Sequence, residues 1–176
     1  MTEEKTILKV SSIVVILAFA TMASVFGYVG LSNTSQFVYA QKQGQSFHAK
    51  LTGKDEVPPK DTKATGTADF TLTGENSMGY KVSVTDMEKV TAAHIHKGKV
   101  GENGPIVVTL FKTDSPSARS SGILSQGTIT SAKLEGPLAG KQLSDLITMI
   151  NNGDAYVNVH TQANPKGEIR GQMSSR

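Results

Sequence analysis

Two histidines stand one residue apart in AAHIH, at His94 and His96, and a third closes YVNVH at His160; the chain holds four histidines in all. On a β-strand successive side chains point to opposite faces. His94 and His96 therefore share a face, and Ala93 and Ile95 take the other. In YVNVH, Val157 and Val159 share a face while Tyr156, Asn158 and His160 share the opposite one. If Ile95 and the valines fill a core, all three imidazoles sit on the outer face of a sheet, exposed and rigidly aimed as a metal site requires. Two histidines of one strand plus one of a neighbour make a three-nitrogen donor set. Without sulfur such a set suits Cu(II) or Zn(II), and the Irving–Williams order favours copper, with zinc as the alternative. Metal–nitrogen bonds of about 2.0–2.1 Å set the geometric test: ring nitrogens within about 4 Å of one another. A ligating imidazole also donates its other N–H to an acceptor, for which Asn158 or a loop carbonyl would serve. The competing reading is that these histidines only bond to backbone carbonyls and tie loops together.

The remaining polar residues point to less. There is no cysteine, which excludes disulfides, thiolate ligands and thiol nucleophiles. The formal net charge of +3 is small, and lysines and arginines are interspersed with acids, so no basic block of the kind that grips nucleic acid is present. KGKVGENGP (Lys97–Pro105) is glycine-rich like a phosphate cradle but lacks the lysine–threonine ending and a following helix; it reads as a loop between strands. Asp55, Glu56, Asp154 and Glu168 lie near turns without calcium-loop spacing and read as solvated surface groups. Glu168 and Arg170 are placed to pair on one strand face. No residue stands out as a nucleophile.

The elements that must position the histidines read as short strands. TADFTL and MGYKVSV alternate with a period of two, and TGENS between them supplies a hairpin turn around Gly74. Further strands are expected at Phe47–Leu51, Val90–His96, Ile106–Phe111, Gly122–Ile129, Tyr156–Thr161 and Glu168–Gln172. One segment, LSDLITMINNG, carries Leu143, Leu146, Ile147 and Ile150 at helical spacing, with Ser144 as N-cap and Gly153 as the stop. The expected fold is all-β: an antiparallel, Greek-key-like sandwich or barrel of about eight strands with one short helix.

Ahead of this lies Val10–Leu31, 22 residues without a charge, long enough to cross a bilayer as a hydrophobic helix. VYA at Val38–Ala40 resembles a small-residue cleavage site. Residues 1–40 thus read as a signal peptide or an uncleaved N-terminal anchor, 41–46 as a polar linker, and 47–173 as the folded domain. Either reading of the N-terminus puts the domain outside the cytoplasm, secreted or held at a membrane.

Three blocks, FHAKLTGKDEVPPKDTKATGTADFTL, AAHIHKGKVGENGPIVVTLF and AYVNVHTQANPKGEIRGQ, resemble in order and spacing the CHRD domain, the module named after chordin. The resemblance covers Phe47 to Met173. It implies an extracytoplasmic β-sandwich module; chordin itself binds growth factors, so an extracellular protein or surface partner is the expectation that follows. More faintly, H-x-H followed by glycine with a later VNVH on such a sandwich is similar to copper–zinc superoxide dismutase. That likeness would make His94, His96 and His160 copper ligands and Arg170 the arginine that attracts an anion. The bridging histidine, the zinc cluster and the disulfide of that family have no counterpart here. Three functions follow: a binding module carrying one copper or zinc ion, a copper-dependent redox enzyme, or a structural or adhesion module without metal.

Overall fold

A computed structural model describes residues 44–176. The apolar run, the cleavage-like VYA and the first three residues of the expected linker lie outside the described residues. Among the described residues no helix is long and apolar enough to cross a membrane.

Among the described residues nine strands and one α-helix follow one another as β1 (Ser46–Thr52), β2 (Thr65–Gly74), β3 (Ser77–Met87), β4 (Val90–Lys97), β5 (Ile106–Lys112), β6 (Ser120–Ile129), α1 (Leu143–Asn151), β7 (Ala155–Thr161), β8 (Ile169–Gln172) and β9 (Ser174–Ser175). All ladders are antiparallel, in the order β5-β4-β7-β8-β1-β2-β3-β6, with β9 added beside β1. The sheet curls into a nearly closed barrel. Its terminal strands β5 and β6 share no ladder; the hydroxyls of Tyr80 and Ser125 each donate to the Leu110 carbonyl at 2.8 Å, fastening the seam with side chains.

Period-two alternation fills the inside. Phe47, Ala49 and Leu51 of β1, Ala68, Phe70 and Leu72 of β2, and Ala93 and Ile95 of β4 are all buried, as are Val157 and Val159 of β7. Full burial of each large apolar side chain stabilises the fold by about 1.5–3 kcal/mol. The helix covers the core with Leu143, Leu146, Ile147 and Ile150 and packs against β7 and β9. Its N-cap is Gln142, not Ser144: the Gln142 side chain accepts from the Asp145 backbone N–H while the Asp145 carboxylate accepts from the Gln142 N–H, a reciprocal box that begins two residues earlier than the sequence pattern suggested. Gly153 follows the helix at φ +72°, the left-handed stop expected of it.

The outer face is where expectation and structure part. Every residue of β7 is buried, including Asn158 and His160 on the side away from the core. Three loops lie over this face, 53–62, 98–105 and 162–168, and convert it into a second, polar interior. Local alternation distinguishes inside from outside a barrel wall but carries no signal for what covers the outside.

Candidate metal centre

Strand register sets the layout. Across β5, β4, β7 and β8, one row runs Thr109, His94, Asn158, Arg170, and the next Ile106, His96, Tyr156, Gln172; on the other side of the first lies Lys112, Ala92, His160. His94, His96 and His160 therefore converge as the alternation predicts. Their ring centroids are 5.6 Å (His94–His96), 4.9 Å (His94–His160) and 5.9 Å (His96–His160) apart. One ligand-capable nitrogen from each lies within 4.8 Å of the others. Three nitrogens sharing one ion through bonds of about 2.1 Å lie about 3.4–3.6 Å apart, so the triad is wider than the test of about 4 Å, and the rings would have to close by about an ångström to share an ion.

Burial differs from expectation. His96 is 8% and His160 9% exposed, and only His94 is half-buried. Two of the rings have a fixed proton. His96 Nδ1 lies 2.9 Å from the Gly104 carbonyl and His160 Nδ1 lies 3.1 Å from the Pro165 carbonyl. A carbonyl only accepts, so Nδ1 carries the hydrogen in both and Nε2 carries the lone pair. Both Nε2 atoms, and Nδ1 of His94, are buried without a hydrogen-bond partner. A buried polar atom left without a partner costs about 1–3 kcal/mol, and each of the three clustered rings carries one such nitrogen, a cost that an electron-pair acceptor would relieve. Of the two acceptors the sequence offered for the second N–H, the loop carbonyls serve and Asn158 does not.

The electrostatics keep the lone pairs available. Burial holds the His94 pKa down at about 4, with further lowering from His160, His96 and Lys112. Burial likewise lowers His96 and His160, against the opposing pull of their carbonyl partners. All three are neutral at physiological pH, the state in which imidazole ligates a metal.

Around the triad the structure corrects several readings. Arg170 is 2% exposed and is no free anion attractor: it donates to the Lys99 carbonyl at 2.8 Å and to Asn103 Oδ1 at 3.3 Å. Its guanidinium carbon lies 3.4 Å from the Tyr156 ring centroid, and Tyr156 stacks on His96 at 5.0 Å and 8°. The result is a column of Arg170, Tyr156 and His96 that fixes the His96 ring from its face. Glu168 does not pair with Arg170; it accepts from Thr62, Thr161 and Asn164 at 2.9, 2.7 and 3.1 Å, clamping the loop that presents the Pro165 carbonyl to His160. Glu56 is not solvated but 5% exposed, bonded to the Asn158 amide, and burial pushes its carboxyl up to about 7. His48 stands apart, bonded to Asp69 at 2.9 Å. Sequence reasoning read Glu56 as solvated and gave no role to Gly104, Pro165 or Lys112. Their roles arise from loops crossing the sheet, which leave no local period in the sequence.

Comparison with known proteins agrees with the blocks that carried the resemblance. The family model described as CHRD domain matches residues 47–173. Chordin of Xenopus laevis is 30% identical over 131 residues, which is 70% of this chain and 12% of that protein. No solved structure matches.

Proposed function

We propose, from the premise that the chain belongs to the CHRD domain family, that it is an extracytoplasmic binding module which holds one copper or zinc ion on His94, His96 and His160. The observation that carries the metal reading is a cluster of three histidines offering ligand nitrogens within 4.8 Å, each with one buried ring nitrogen that has no hydrogen-bond partner, and two of the rings oriented by an Nδ1–H bonded to a loop carbonyl. Neutral imidazoles without sulfur favour Cu(II) or Zn(II), and the outer N–H bonds are the support that ligating histidines have in metal proteins. The location rests on the Val10–Leu31 run and on the likeness to chordin, and it leaves the module secreted or membrane-held. A chordin-like module outside the cell would meet an extracellular protein or surface partner; this chain spans only 12% of chordin's length, so that partner is part of the proposal.

The test is metal titration of the full-length chain after chelation. One equivalent of Cu(II) or Zn(II) is expected to bind and to survive desalting. His96→Ala and His160→Ala should each weaken uptake by about a hundredfold or more, since each removes one of three ligands. Retention of an ion by the His96→Ala, His160→Ala double variant, or no retention by the wild type, would end the metal reading.

A further inference from the structure

A groove of about 630 Å³ runs along β4 and β5 on the outer face, lined among others by Ala92, His94, Thr109, Lys112, Glu135 and Gln162. Of the three triad rings only His94 borders it. Strand register explains the approach: Lys112, Ala92 and His160 form one row across β5, β4 and β7. The side chain between the lysine and the triad is thus a single methyl group, which leaves room above Ala92. His96 and His160 are enclosed by the loops that hold their Nδ1 atoms, so anything reaching the three nitrogens from solvent comes along this side.

We propose that this groove admits a small carboxylate-class anion to the ion held by the triad, with Lys112 as the cation that selects it; the inference rests on the metal reading above. Three protein nitrogens leave at least one position of a four-coordinate ion for an outside ligand. Two positive charges then face the same space, the ion and the Lys112 ammonium. Lys112 is exposed, and among the described residues no ion pair engages it. The Glu135 carboxylate in the same groove is turned to the Thr109 backbone N–H at 3.0 Å, and Asp114 lies past the end of β5. A groove of this size accommodates a small organic anion with room for water, and threonine hydroxyls and the Gln162 amide supply neutral donors along its wall.

The experiment uses the Cu(II)-loaded full-length chain with azide as the probe, followed by its charge-transfer absorption, and acetate as competitor. Wild type is expected to bind azide and to release it to acetate. Lys112→Gln should weaken azide binding about tenfold, as loss of one nearby unit charge in a partly wet site predicts. Neutral pyridine should bind both proteins alike. Uptake of the copper ion should be unchanged or tighter in Lys112→Gln, because the lysine repels the cation; a merely structural lysine would weaken both. If copper binds and azide leaves the spectrum untouched, or binds Lys112→Gln as tightly as wild type, the groove inference falls and the metal reading stands. If copper is not taken up at all, both fall together.

Discussion

Glu56 is the buried group whose removal gives the sharpest stability test. Its side chain accepts from Asn158, stands near Arg170, and is 5% exposed, with its carboxyl raised from the usual 4.5 to about 7 chiefly by burial. A raised pKa means that the folded state holds the proton more tightly than the unfolded chain. The stabilisation from that proton is complete below about pH 4.5 and is lost as pH rises through about 7. At 1.36 kcal/mol per pKa unit the full loss would reach about 3 kcal/mol. The neighbouring cleft that Glu56 lines with Lys54, Asp55 and Arg170 is partly open to solvent, and solvent screening there reduces the expectation to about 1–2 kcal/mol. Glu56→Gln keeps an acceptor for Asn158 and cannot ionise, so relative to wild type it should gain that amount between pH 4.5 and 8. For a domain of this size the gain is about 4–8 °C in melting temperature. Melting both proteins in chelator across this range is the assay. The wild-type curve alone would mislead, because the three histidines have lowered pKa values and their contribution runs the other way, lost as pH falls below 6.5. They are common to both proteins and cancel in the difference. A difference that stays flat with pH, or one that turns in favour of wild type above pH 7, would refute the argument; the latter would mean that the Arg170 attraction outweighs desolvation.

Two glycines test the loops that orient the rings. A Cβ on Gly104 would collide with the Lys97 carbonyl, so Gly104→Ala should displace the carbonyl that holds His96 Nδ1 and weaken Cu(II) or Zn(II) uptake by about 10–100-fold, read by competition with a chelator. Gly167, at φ +128°, sits with its Cα against the Asn158–Glu56 pair, and an added Cβ would lie 2.5 Å from Asn158 Nδ2 and 2.6 Å from Glu56 Oε1. Gly167→Ala should destabilise the fold by about 2–3 kcal/mol in chemical denaturation, strain and collision together.

Much of the fold and the centre of the site were legible in the chain. Alternation in TADFTL and MGYKVSV marked β2 and β3, and the spacing of Leu143, Leu146, Ile147 and Ile150 marked the helix, because each pattern is set by neighbours a few residues away. The histidine triad was legible for the same reason: pleat direction alone puts His94 and His96 on one side and brings His160 to it once β4 and β7 pair. What surrounds the triad was not. Glu56 meets Asn158 across 102 residues of chain, and Arg170 meets the Lys99 carbonyl across 71. Such contacts leave no local period. A carboxylate or arginine in a turn is ordinarily solvated, so composition pointed away from the burial that the covering loops impose. The N-cap was misplaced for a related reason: Ser144 is the better capping residue by type, but the reciprocal bonds of Gln142 and Asp145 begin the helix earlier.

The site divides into a fixed part and an open part, and that division bears on what an ion there would do. His96 is held from its edge by Gly104 and from its face by Tyr156 and Arg170. His160 is held by Pro165, whose loop is itself clamped by Glu168. His94 has no such bond, and its ring borders the groove. A purely structural zinc site closes four protein ligands around the ion and excludes water, whereas a site that exchanges ligands keeps a position open. Two preset nitrogens and a third beside a solvent-filled groove match the second pattern. The proposed ion would thus be attached to the rigid wall of the barrel, with its changing partner arriving from the side where the protein spent no hydrogen bonds to hold a ring still.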